Sequence, residues 1–329
     1  MNILVTGGAG YIGSHTVERL IDCGHNTTVY DSLCTGHKES IPRGILAKGC
    51  LSDKGRITKI LRNNHIEAVI HFAALTSVGE SVADPGRYYS NNLTFTLNLL
   101  DAMRETGVRM IVSSSSAAVY GTVGSSKITE TTRKTPQSPY GFTKLAIEQA
   151  LTDYSLAYGF AAASLRYFNA VGASESGRIG EDHSPESHLI PLALKVALGQ
   201  LDHIDILGDD YETHDGTCIR DYVHVSDLAE AHINAINVLE PSKHIQLNLG
   251  TGTGHSVLEV ISACKDVTGN DIPTRVAPRR PGDPPQLVAD CALARRVLAW
   301  NPRYTSIKET IETAWRWHRD HPHGYRTSK

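Results

Sequence analysis

The chain carries no excess of either charge: 32 Lys+Arg stand against 35 Asp+Glu in 329 residues, a formal net charge of −3. That excludes the basic face needed for broad nucleic-acid or anionic-membrane binding, so the basic residues that matter must be few and placed for one ligand. No apolar run approaches the roughly 18 residues of a membrane-spanning helix. The start, Met1-Asn2-Ile3-Leu4-Val5, lacks a basic n-region, so no signal peptide is expected. None of the six cysteines (Cys23, Cys34, Cys50, Cys218, Cys264, Cys291) forms a C-x-x-C pair. This argues against a disulfide framework or a structural zinc site and for reduced thiols in a cytoplasm. There is no H-E-x-x-H, and no metal is expected; His318, His321 and His323 read as a solvated tail, and His224 as a structural hydrogen-bonder.

What is present is ordinary globular material, 40% hydrophobic and 20% charged, at a length that suits two domains or one large domain with a lobe. Short β-branched runs at Ile3–Thr6, Thr27–Tyr30, Ala68–His71, Met110–Ser113 and Ala162–Arg166 predict strands. Helical stretches separate several of them: Ile12–Cys23, Lys54–Asn63, Tyr88–Thr106 and Pro139–Ala157. This alternation predicts an α/β fold, with right-handed βαβ units covering both faces of a parallel sheet. Beyond about Val171 the texture becomes polar and loop-rich, with helices expected at Leu189–Leu198, Ser226–Leu239, Ser256–Thr268 and Ser306–Arg319. The reading is a first domain over 1–170 and a smaller α/β lobe over 171–329, segments of which return to the first.

The loop Gly7-Gly8-Ala9-Gly10-Tyr11-Ile12-Gly13 joins the first strand to the first helix. Gly7 supplies a tight turn, Gly10 lets a pyrophosphate approach the backbone, and Gly13 seats the helix close to the strand. The amides at the helix start then hold the phosphates. Asp31 ends the second strand, where a carboxylate accepts from the adenosine ribose and repels a 2′-phosphate; Ser32 follows it, not an arginine. NAD is therefore favoured over NADP, on a Rossmann-type doubly wound sheet.

Ser138-Pro139 reads as a helix cap and first turn, which puts Tyr140 and Lys144 at i and i+4 on one face. A neighbouring ammonium and the positive charge of an oxidised nicotinamide favour the phenolate, lowering a pKa of about 10. A proton acceptor beside a hydride acceptor is what oxidising an alcohol requires. The run Ser113–Ser116 follows the strand predicted at Met110–Ser113, at the carboxyl edge where such sheets bind ligands, and offers a hydroxyl to bridge substrate and phenolate.

With these motifs in order, the chain resembles the extended short-chain dehydrogenase/reductase family, in its branch of UDP-sugar 4-epimerases. The blocks that carry the likeness include Gly7–Gly13, His71-Phe72-Ala73-Ala74, Ser138–Lys144, Arg166-Tyr167-Phe168-Asn169, Arg220-Asp221-Tyr222-Val223-His224 and Ala277-Pro278-Arg279-Arg280. The resemblance implies that Tyr140 is the base, Lys144 its ribose-binding partner and Ser116 the positioning hydroxyl. It implies that Phe72, Ala73 and Ala74 lie along the cofactor, that Asn91 and Phe168 line the nicotinamide pocket, and that Asn169 touches the substrate pyrophosphate. Arg220 and Arg280 would clamp the UDP phosphates, Asp283 would bind the UDP ribose, and Leu189 and Leu287 would contact the substrate. The implied reaction interconverts UDP-galactose and UDP-glucose through a 4-keto sugar with tightly held NAD, in a homodimer built on Tyr88–Thr106 and Pro139–Ala157.

Three positions depart from well-known members: Cys50-Leu51 for an adenine-contacting Asp, Thr76 for a Lys, and Ser187-His188-Leu189 for Asn-Asn-Leu. Leu287, intermediate in size at the gate to the sugar's 2-substituent, leaves UDP-N-acetylhexosamines, pentoses or hexuronates open as alternative substrates. A dehydratase is disfavoured because Ala117-Ala118 stand where its acid and base belong. A non-catalytic NAD-sensing protein is the remaining alternative, and the retained Ser, Tyr and Lys count against it.

Overall fold

The computed structural model describes residues 1–124, 127–280 and 283–325. A seven-stranded parallel sheet runs in the spatial order Lys243–Leu249, Ala161–Tyr167, Met110–Ser116, Ala68–His71, Asn2–Thr6, Asn26–Asp31, Leu46–Lys48. Helices Lys54–Asn63, Phe95–Thr106 and Pro139–Tyr158 cover one face, and Tyr11–Asp22 and Val225–Asn237 the other, giving a three-layer sandwich with a core on each side. Four of its strands come from apolar runs, as buried parallel strands should. The strand order reverses beside Asn2–Thr6, so the crevice for a ligand opens at the carboxyl end of that strand.

Strand Lys243–Leu249 comes from the second half of the chain yet forms an edge of this sheet, and helix Val225–Asn237 packs on Tyr11–Asp22. Of the remaining strands, Ile219–His224 pairs with Asn169–Val171, Gly254–Ser256 and Gln286–Leu287 in one small sheet, and Ile204–Leu207 pairs with Thr274–Ala277 in another. Helices Leu189–Ala197, Val257–Thr268 and Ile307–Asp320 pack together beside it. No helix among the described residues is long and apolar enough to cross a membrane.

Two expected elements are corrected. The run Ser113–Ser116 does not follow its strand but ends it, in register with Ser164–Tyr167. Its polar side chains stay in the sheet because each face offers partners: Ser115 donates to Glu148 at 2.6 Å, and Ser114 contacts the Tyr167 hydroxyl. The helix expected from Tyr88 starts instead at Pro85 and changes pitch, with a π-helical segment over Tyr89–Thr94 before Phe95–Thr106. Asn92 accounts for the insertion. Its amide accepts from Leu75 N at 2.8 Å and donates to Leu75 O at 2.9 Å, holding the 73–75 segment to the helix.

Below the serines lies a buried ion pair. Arg166, fully buried, donates from Nε and Nη2 to Glu148 at 2.7 and 2.6 Å, and from Nη1 to the Tyr120 hydroxyl at 2.9 Å. Tyr120 in turn donates to Asn248 at 2.7 Å, linking strands Ala161–Tyr167 and Lys243–Leu249 to helix Pro139–Tyr158. Removing one partner leaves an uncompensated charge, whereas replacing both with apolar groups does not. Arg166→Met is therefore expected to lower unfolding free energy by about 3–5 kcal/mol, and the double change Arg166→Met with Glu148→Leu to recover most of it, read by denaturant midpoint.

Candidate functional site

The glycine loop adopts the geometry its residues allow. Gly7 has φ +71°, and a Cβ there would lie 2.5 Å from Ala73 N. A Cβ on Gly13 would meet Gly7 O at 2.2 Å, so helix Tyr11–Asp22 sits close to the strand only because Gly13 has none. The helix opens at Gly10 with its first amides directed to the sheet's carboxyl edge.

Gly7, Gly10, Asp31, Ser32, Phe72, Ala73, Ala74 and Asn91 line one cleft, together with Cys34, Cys50 and Leu51. Asp31 is fixed by two amides: Oδ2 accepts from Ala9 N at 3.0 Å and Oδ1 from Leu33 N at 2.8 Å. Each oxygen keeps a lone pair for a ribose hydroxyl. These residues fit a dinucleotide: close-approach glycines, a helix start for the pyrophosphate and an oriented carboxylate for the adenosine ribose.

Tyr11 and Ile12 adjoin this cleft by backbone only. The Tyr11 side chain points away, donating to Gly172 O at 2.6 Å, and Ile12 packs on the core.

Tyr140, Lys144 and Ser116 meet one strand further along. Ser138 caps their helix by accepting from Gly141 N at 3.1 Å. A Cβ on Gly141 would meet Ala118 O at 2.5 Å, so the first helical turn is pressed onto the turn at Ala117–Val119 and brings Tyr140 beside Ser116. Lys144 is buried; its ammonium donates to Ser114 O at 2.9 Å and lies 6.0 Å from the centre of the Tyr140 ring. Burial pulls Lys144 down to about 8, against the charge of Glu148.

The lowering expected of Tyr140 rests on an oxidised nicotinamide as well as on Lys144, and the protein groups alone do not produce it. Burial raises its phenol above the usual value, and hydrogen bonding to Ser116 is what opposes the rise. Desolvation outweighs the local polar groups because Tyr140 packs against Leu75, Tyr88 and Ala118.

The substrate-side residues gather in part. Arg220 Nη2 donates to Asp283 Oδ1 at 2.6 Å, and Leu287 pairs in register with Arg220. Leu287 and Phe168 each pack against the buried group of Val119, Tyr120 and Ile128. Asn169 begins the strand paired with Tyr222. Leu189 opens its helix half-buried, and Arg280 is exposed.

Two positioning residues escaped the sequence reading. Asn92 lies beside Asn91 in the π-helical segment, and its neighbours give no signal in the chain. Asp221 is fully buried and accepts from Thr251 N and Oγ1 at 2.8 Å, Gly252 N at 3.0 Å and Ala289 N at 3.2 Å. It thereby ties the 250–252 turn to the strand that carries Leu287. His318 is also corrected: it is buried on the inner face of helix Ile307–Asp320, not solvated.

A doubly wound sheet with a glycine-built cleft and a buried Tyr-Lys pair defines a dinucleotide-binding protein equipped for proton transfer. The chain belongs to the NAD dependent epimerase/dehydratase family, whose pattern matches residues 3–250. It is 50% identical to the UDP-glucose 4-epimerase of Halalkalibacterium halodurans, over 99% of this chain and 98% of that one. A crystal structure of a UDP-glucose 4-epimerase superposes with TM-score 0.95 at 48% identity, covering 99% of this chain and all of the other. The Bifidobacterium longum UDP-glucose 4-epimerase in complex with NAD+ and UDP superposes at 0.94 with 40% identity, covering 99% and 100%.

Proposed function

We propose that the chain is an NAD-dependent UDP-glucose 4-epimerase that interconverts UDP-galactose and UDP-glucose. The observation that carries this reading is the meeting of Ser116, Tyr140 and Lys144 at the carboxyl edge of Met110–Ser116, near a dinucleotide cleft and with Ala117-Ala118 directly after Ser116. Alanines transfer no protons, so the site supports oxidation and re-reduction without elimination. Full-length identity of about half to a UDP-glucose 4-epimerase supports the substrate.

In this reading Gly7, Gly10, Gly13 and the amides of Tyr11 and Ile12 hold the pyrophosphate. Asp31 and Ser32 take the adenosine ribose, Phe72 to Ala74 flank the cofactor, and Asn91 faces the nicotinamide. When bound, NAD supplies a reversible hydride acceptor. Tyr140 takes the proton of the sugar 4-hydroxyl, Ser116 bridges the two oxygens, and Lys144 holds a ribose and favours the phenolate. The cation that overcomes the desolvation of Tyr140 is shared between Lys144 and the oxidised cofactor.

Asp283 orients Arg220 towards the diphosphate, with Arg280 and Asn169 on its other sides. Leu189 and Leu287 bound the sugar, which turns over as a 4-keto intermediate while UDP stays clamped. The exposed pair Tyr89 and Phe142, 38% and 48% accessible with ring centres 6.1 Å apart, marks the face through which a homodimer would form.

Purified enzyme is expected to release NAD on denaturation and to epimerise UDP-galactose without added cofactor. Absence of bound dinucleotide, with no rescue by NAD, would refute the assignment. UDP-galactose is expected to be turned over faster than UDP-N-acetylgalactosamine, and a strong reverse preference would reassign the substrate.

A further inference from the structure

Outside this cleft, the segment Glu181-Asp182-His183-Ser184-Pro185-Glu186-Ser187-His188 folds two carboxylates and two imidazoles onto one point. One ligand atom from each of Glu181, His183, Glu186 and His188 lies within 4.8 Å of all the others. His183 Nδ1 is 3.3 Å from Glu181 Oε1 and 3.7 Å from Glu186 Oε2, while His188 Nδ1 is 2.8 Å from Glu181 Oε1 and 3.1 Å from Glu186 Oε1. A tetrahedral zinc with bonds of about 2.0–2.1 Å needs ligand separations of about 3.3 Å. The four His–carboxylate separations bracket that value, with Glu186 presenting a different oxygen to each imidazole.

Three further observations point to a ligand. The Glu181 and Glu186 side chains are only 5% and 2% exposed, a costly placement for two carboxylates without a concentrated positive charge. His183 Nδ1 is shielded from solvent and has no hydrogen-bond partner among the described residues, although both carboxylates approach it. Finally, a cavity of about 580 Å³ opens onto Glu181, His183 and Glu186, giving an ion a route in.

We propose that Glu181, His183, Glu186 and His188 form a tetrahedral transition-metal site of the zinc class, separate from the cofactor cleft. Two imidazoles with two carboxylates suit zinc and not calcium or magnesium, which prefer all-oxygen shells. Four protein ligands leave no open position, so the ion is structural and takes no part in hydride or proton transfer.

Its place defines what it braces. The Tyr11 ring stands edge-on to His183 at 6.3 Å, and His37 Nε2 contacts Asp182 O at 3.1 Å. His188 immediately precedes helix Leu189–Ala197. The ion thus clips a loop lacking regular structure to the glycine-loop helix, to the segment after Asp31, and to the start of a helix in the second lobe.

The competing occupant is a pair of protons. Burial lowers both imidazoles, but the two carboxylates outweigh it, holding His183 up at about 9 and His188 at about 10. The test separates the two. Full-length holoenzyme stripped with a chelator is titrated with zinc, and metal content is measured after dialysis; a parallel sample receives cobalt(II) and is read by visible absorption. One zinc per chain and the intense bands of tetrahedral cobalt are expected.

Glu186→Gln and His183→Asn should each weaken zinc binding at least as much as the roughly 10–100-fold that loss of an outer-shell partner costs. His321→Gln and His323→Gln, which change the same cavity without touching the four ligands, should leave it unchanged. Stoichiometry far below one, weak octahedral cobalt bands, or undiminished binding in the Glu186→Gln variant would each overturn the site. The cobalt spectrum of the unaltered enzyme decides even if the variants fail to fold.

Discussion

Tyr140→Phe is expected to cut kcat by about 10²–10⁴-fold, the range that a positioned general base contributes. KM for the UDP-sugar should move little, because the phenyl ring keeps its packing against Leu75 and Tyr88 and the change removes one hydroxyl. Bound NAD should be retained, since its proposed contacts lie elsewhere. Unchanged epimerisation in stopped-flow or coupled assays would refute the assigned base.

A finer readout tests the neighbouring hydroxyl. Hydrogen bonding to Ser116 is what opposes the upward shift of the Tyr140 phenol. Ser116→Ala should therefore move the rising limb of kcat against pH to higher pH as well as lowering the plateau.

Mild acid should unfold the protein cooperatively between about pH 6 and pH 4. Among the imidazoles that desolvation holds neutral are His15 and His232 at about 4 and His71 and His224 at about 3. In the unfolded chain each titrates near 6.5, so below that value the unfolded state binds protons that the native state refuses. Their stabilising contribution is complete above the unfolded pKa and is lost as pH falls towards the folded ones.

Once all four titrate in the unfolded state, the slope is on the order of 5 kcal/mol per pH unit, against a total stability of about 5–15 kcal/mol. Asp221 and Asp227, whose carboxyls burial raises, take up protons more readily in the native state than in the unfolded one and oppose this slope towards its acid end. The stabilising effect of His183 and His188 is complete below 6.5 and is lost only as pH rises through their folded values, and the lowered carboxylate of Glu181 matters only below about 4.5. Denaturant titrations from pH 7 to 5 should show the slope, and His232→Leu should reduce it by about 1.4 kcal/mol per pH unit. A flat stability profile to pH 5 would contradict it.

His71 shows how such a neutral ring is held. Thr96 donates its hydroxyl to Asn92 O at 2.5 Å, so it can only accept from His71 Nε2 at 2.9 Å; Nδ1 then accepts from Thr6 at 2.7 Å. The proton count is set by a chain of hydroxyls around the cofactor strand.

Much of this was legible in the chain where the cause is local. Ala68–His71 and Lys54–Asn63 were expected with the limits the structure has, because an apolar run and a helical pattern are local signals; the Asp53 side chain that caps the helix is seen in the structure. The glycine loop and the Tyr-Lys spacing are likewise written in a few adjacent residues. What stayed hidden depends on distant partners. Strand Lys243–Leu249 alternates Lys, His, Gln and Asn with its apolar residues, and becomes a strand because Ala161–Tyr167 offers it an open edge.

Ser113–Ser116 reads in the chain as following its strand, and it is kept within the sheet by Glu148 and Tyr167, partners far off in sequence. The upward shift of Tyr140 follows from burial by Leu75 and Tyr88, which no i, i+4 spacing records. The Glu181–His188 cluster fell between the known metal signatures, so only its folding onto one point exposes it.

The return of Lys243–Leu249 to the sheet edge has a consequence for synthesis. As the chain leaves the ribosome, the cofactor-binding layer emerges with Ala161–Tyr167 as a bare border, and the Tyr120 hydroxyl lacks its Asn248 acceptor. The catalytic helix is thus made long before the strand that completes its support. The nascent protein must wait with a hydrogen-bonding edge exposed, which is the surface a chaperone or a second unfinished copy would take first.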